Sequence, residues 1–79
     1  MSTSKVKLKP LATNVSVTAK GLRVYLADGR EIIAPLQWFP RLQKAKRTAR
    51  GNWRLIGGGI GIHWEEIDED ISVAALLAR

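Results

Sequence analysis

"NVSVTAKGLRVYLADGREIIAPL", residues 14–36, alternates apolar and polar positions in a way only a strand can use. Val15 and Val17 alternate with Ser16 and Thr18; Leu22, Val24 and Leu26 alternate with Arg23 and Tyr25. Lys20-Gly21 marks a turn between the two runs. Asp28-Gly29 is the stronger signal, because a type I′ hairpin needs positive φ at both central residues. That turn sets Ala27 opposite Arg30, Val24 opposite Ile33 and Tyr25 opposite Ile32. Pro35 lacks an N–H and ends the third strand.

The period changes in "PLQWFPRLQKAKRTARG", residues 35–51. Trp38, Leu42, Ala45 and Ala49 fall on one helical stripe. Pro40 suits the first turn, and Gly51 suits a left-handed stop. Arg41, Lys44, Lys46, Arg47 and Arg50 lie off the stripe and predict a basic outer face. Alternation returns with Trp53 and Leu55 before the glycines of "GGGIG" and Ile60, Ile62 and Trp64 after them, a second hairpin. "ISVAALLAR", residues 71–79, fits a short helix capped by Ser72 or Asp70, with Ile71 and Leu76 as a hydrophobic staple. The fold class is therefore α+β: a small antiparallel sheet in βββ-α-ββ-α order with helices on one face. Residues 1–11 read as a flexible basic lead-in and residues 12–79 as a single domain.

With 79 residues, one small domain is all the chain can form. The absence of cysteine excludes disulfides, thiolate zinc sites and cysteine nucleophiles. No run approaches a membrane span and the start is not that of a signal peptide, so a cytoplasmic protein is expected. The net charge of +6 is unevenly placed. Residues 1–54 carry twelve Lys or Arg against two acids, whereas residues 55–79 carry one against five. One end attracts an anionic partner that the other repels.

Three stretches are candidates for chemistry. In "IHWEEIDEDIS", residues 62–72, His63, Glu66, Asp68 and Asp70 offer ligand types suited to Mg²⁺ or Mn²⁺. No EF-hand spacing is present, and Asp68, Glu69 and Asp70 precede a helix start, where negative charge is favoured. The acids read as a solvent-facing loop entering a helix, with Ile67 and Ile71 turned inward and Leu76 and Leu77 packed near Trp53 or Trp64. "GGGIG" lacks the Lys-Ser/Thr of a phosphate loop and reads as a hairpin turn. His63 alternates away from Ile62 and Trp64, faces outward and has no Ser or Cys partner for a triad. Arg41, Lys44, Lys46, Arg47, Arg50 and Arg54 form a run of positive charge with no acid inside it, suited to phosphates or to an acidic protein. Trp38 and Trp53 fit core positions better than stacking platforms.

The chain resembles the bacterial family known as domain of unknown function 2442. The likeness rests on Asp28-Gly29-Arg30, Pro35-Leu36, Trp38-Phe39-Pro40-Arg41-Leu42, Trp53, His63-Trp64 and Asp68-Glu69-Asp70-Ile71-Ser72. It covers about residues 15–78. It implies a small α+β domain for which no activity is established across the family, sometimes followed by a helix-turn-helix domain. Genes of the family often lie beside those of domain of unknown function 4160, an arrangement similar to toxin–antitoxin pairs. The chain ends at Arg79, so no appended DNA-binding domain is expected. Lys46-Arg47 stand where relatives tend to have a Pro or an acid. Recurrence of the acidic motif with Trp-Phe-Pro-Arg leads us to expect Arg41 to pair with a carboxylate of the acidic loop.

These readings lead to a non-enzymatic module that binds a protein partner, with no catalytic residue, cofactor or metal assigned. Nucleic-acid binding through the basic residues 41–54 is the alternative.

Overall fold

The computed structural model describes residues 10–78. Of the lead-in expected over residues 1–11, only Pro10 and Leu11 fall inside that range. The class is α+β, but the order has one more strand than expected and a divided helix. Three strands, β1 (Ala12–Thr18), β2 (Gly21–Leu26) and β3 (Glu31–Ala34), form one antiparallel sheet in that order. A 3₁₀ turn (Leu36–Trp38) and two short helices, α1 (Pro40–Lys44) and α2 (Arg47–Gly51), lead to a second antiparallel sheet. It comprises β4 (Trp53–Ile56), β5 (Gly61–Trp64) and β6 (Glu69–Ser72), and α3 (Val73–Leu77) follows. The strands thus divide between two sheets rather than sharing one.

One core joins both sheets. Val15, Leu22, Val24 and Leu26 meet Ile62, Trp64 and Ile71, with Phe39, Leu42, Val73 and Leu76 closing the sides. Ile62 and Trp64 are fully buried, and each such side chain contributes roughly 1.5–3 kcal/mol. Gly59 lets the sheets approach. Its carbonyl accepts from Ala12 N at 2.7 Å, and its φ of +117° belongs to glycine.

The first hairpin follows the alternation, with Val15 opposite Val24 and Val17 opposite Leu22. The second is one residue out of the expected register. Val24 faces Ile32 and Tyr25 faces Glu31, rather than Ile33 and Ile32. The cause is the turn. Leu26 N donates to Arg30 O at 2.8 Å and Gly29 N to Leu26 O at 3.1 Å, enclosing three residues instead of two. Only Gly29 takes positive φ there, so the turn is not type I′. Asp28 holds it by accepting from Arg30 N at 3.0 Å and Arg30 Nε at 2.8 Å. The bond from Arg30 N is the main reason the Asp28 carboxyl lies below its ordinary pKa. Pro35 follows the last residue of β3, as expected.

The single basic helix does not form. Pro40 does open α1, but Ala45 and Lys46 are both extended, with ψ of 152° and 160°. The stripe was too weak to hold one helix: Leu42 and Ala49 are buried, Ala45 only partly, and Trp38 lies in the preceding turn at 41% exposure. Gly51 is the last residue of α2 rather than a left-handed stop, and Asn52 follows it as the cap.

The acidic stretch is half strand. Residues 65–68 turn, with Asp68 at φ +51°, and Glu69 to Ser72 then pair with β5 as β6. The loop expectation overlooked that Ile71 alternates with Asp70 and Ser72, a strand pattern that β5 was free to pair. Ile71 is buried and Ile67 packs against the core, as expected. Ser72 caps α3, its Oγ accepting from Ala75 N at 3.2 Å. Leu76 is buried, but Leu77 is exposed, and so is Ile60, which belongs to the glycine turn rather than to β5.

Candidate interaction surface

The six basic residues go to different tasks. Arg50 turns back across the break between the helices. Its Nε donates to Leu42 O at 3.1 Å and its Nη2 to Gln43 O at 2.6 Å, satisfying carbonyls at the end of α1. Its own carbonyl accepts from Trp64 Nε1 at 3.0 Å. Arg41 does reach the acidic loop, but Nη1 donates to the main-chain carbonyl of Asp68 at 3.0 Å rather than to a carboxylate. Asp68 is left-handed, at φ +51°, which composition could not reveal. Arg54 projects from β4 beside Glu65, at 3.6 Å. Among the described residues, Lys44, Lys46 and Arg47 are exposed and form no ion pair.

His63 stands opposite both Arg54 and Asp70 in the cross-strand register, on the sheet face away from Trp64. Its side chain is only 15% exposed. Nδ1 bonds to Asp70 Oδ1 and Nε2 lies 3.3 Å from Glu65 Oε1. With a carboxylate on each nitrogen, the cation is favoured. The Asp70 bond is the main cause of the raised His63 pKa, burial and Arg54 opposing it. The other acids face elsewhere: Glu66 accepts from Asn52 Nδ2 at 3.1 Å. Among the described residues, no three His, Cys, Asp or Glu side chains are grouped to hold a metal ion.

Trp64 is the fully buried aromatic of the motif, with Phe39 also in the core. Trp53 is half-buried against the core. Trp38 meets Phe39 edge-on with ring centroids 6.4 Å apart, on the exposed side. Glu69 is half-buried opposite Trp64.

A groove of about 550 Å³ runs between β1 and the α2–β4 segment, lined by residues 15–19 and by Arg47, Arg50, Gly51 and Trp53. Two of the basic residues and one tryptophan singled out above thus share it. The β1 wall was not legible, because a groove between segments some 30 residues apart leaves no local signal. The family described as "Protein of unknown function (DUF2442)" matches residues 12–79. The chain belongs to this family. No curated protein matches the chain. It is also similar to a solved protein of unknown function from Rhodospirillum rubrum, at 26% identity and a TM-score of 0.77. That match covers 90% of this chain and 88% of the other. Among the described residues of this DUF2442 domain, no helix is long and apolar enough to cross a membrane.

Proposed function

We propose that this DUF2442 domain is a non-enzymatic, cytoplasmic module that binds a small protein partner through the groove between β1 and α2–β4. The observation that carries the reading is the groove itself: a sheet edge faces cations and a half-buried tryptophan across about 550 Å³. Interfaces are enriched in aromatic residues and Arg, which supply most of their energy. The partner best placed is the product of a neighbouring gene, given the toxin–antitoxin-like arrangement that the family resemblance implies. Co-expression of the two followed by size-exclusion chromatography tests this. One co-eluting species at micromolar concentration is expected, and two separate species would count against it.

A second reading keeps nucleic acid as the partner. Lys44, Lys46 and Arg47, close in sequence around the helix break, exposed and without acidic partners among the described residues, favour it. Phosphate contacts would make affinity fall steeply with salt. A flat salt dependence removes this reading.

A further inference from the structure

Four consecutive residues of β1, 15–18, and Ala19 of the turn that follows line the groove. Side chains of a strand alternate between faces, so a groove touched by consecutive residues meets the strand's edge and not one of its faces. β1 is an outer strand, paired only with β2, and an outer edge presents main-chain N–H and C=O groups that can pair with another strand. Of these, Val15 N already donates to Asn14 Oδ1 at 2.8 Å, a local bond that an added strand would replace. The opposite wall holds two cations of different status. Arg50 is committed to the carbonyls of Leu42 and Gln43. Arg47 is exposed and makes no ion pair among the described residues, so its charge is available to an occupant. Trp53, half-buried, adds an apolar surface to the same groove.

From this we infer that the groove takes an extended, acid-bearing segment of the partner, which adds as a fourth strand beside β1 and sets a carboxylate on Arg47. Main-chain pairing supplies affinity and the carboxylate supplies selection, the division of labour in strand addition. The inference rests on the protein-binding reading above and specifies the occupant.

The probe is a set of capped peptides of about ten residues, long enough to span residues 15–19 at about 3.3 Å per residue. They alternate Val and Thr and carry one Glu or, at the same position, one Lys. Binding to the full chain is read by fluorescence polarisation. The Glu peptides are expected to bind, with the Lys peptides at least about tenfold weaker, and Arg47→Glu to invert that order. N-methylation of alternate peptide residues should abolish binding in one register and spare it in the other. Equal affinity of the two sets, or indifference to N-methylation, overturns the inference. A concentration-dependent dimer joined through the β1 edges also overturns it, by placing a second copy in the groove. A co-eluting protein partner that protects amides only outside residues 15–19 overturns the inference and leaves the protein-binding reading standing. Neither peptide nor partner binding would overturn both.

Discussion

Arg50 Nε donates to the carbonyl of Leu42 at 3.1 Å, and this contact makes a break between two five-residue helices tolerable. Helices this short are marginal alone and depend on tertiary contacts. The guanidinium satisfies the end of α1, while the Arg50 carbonyl takes the indole N–H of buried Trp64. The same residue therefore shapes one wall of the groove and ties it to the core.

Replacing Arg50 with Ala should destabilise the domain by roughly 1.5–3 kcal/mol, the range for hydrogen bonds to charged groups. Arg50→Lys should recover only part of this, because an ammonium cannot reach both carbonyls with a planar fork. Urea unfolding of the three proteins measures it. Equal stability of Arg50→Ala and the parent would mean that the helix break is held by something else.

Gly59→Ala should cost more than a surface substitution. A methyl group there would meet the Ala12 carbonyl oxygen and lie 2.9 Å from Ala12 N, and φ +117° adds strain of roughly 1–3 kcal/mol. Gly58→Ala is the internal control for positive φ, since nothing lies within 4 Å of its added methyl. Gly59→Ala is expected to melt well below Gly58→Ala in a thermal scan.

The end of the chain offers a ranking. Ser72→Ala should cost roughly 0.5–2 kcal/mol, as loss of an N-cap does. Leu76→Ala, at a site 5% exposed, should cost roughly 2–5 kcal/mol. The opposite order in chemical denaturation would contradict the packing of α3 against the sheets.

His63 gives the domain a pH-dependent stability. Its folded pKa is raised above the ordinary value of 6.5, chiefly by the bond to Asp70. The stabilisation is therefore fully present below about pH 6.5 and is lost as pH rises through the higher folded value. Urea midpoints should decline over that window, and Asp70→Asn should flatten the decline. A midpoint that rises over the same window would show that the imidazole is held neutral.

Much of the fold was legible because it rests on alternation. Val15, Val17, Leu22, Val24, Ile62 and Trp64 fixed the strands and their buried face, and Pro35, Pro40 and Ser72 marked boundaries through backbone chemistry. What was missed depends on which of several contacts allowed by the pattern is made. The Asp28-Gly29 signal fits two turn types one register apart, and side-chain bonds to Arg30 chose between them. The helical stripe counted Ala45 as apolar, yet a side-chain bond from Arg50 back to Leu42 stabilised the break there. The acidic stretch looked like a loop by composition, while the unpaired edge of β5 made a strand of it. Of the candidate site, Arg47, Arg50 and Trp53 were visible as residue types. Their meeting with β1 was not.

The most direct test of the central claim is amide hydrogen exchange on the full chain, alone and co-expressed with the product of the neighbouring gene. The account expects the two to co-elute and expects new protection at residues 15–19 and 47–53, the two walls of the groove. Two separately eluting species, or a complex whose protection falls only on the Arg54–His63–Asp70 face, would contradict it.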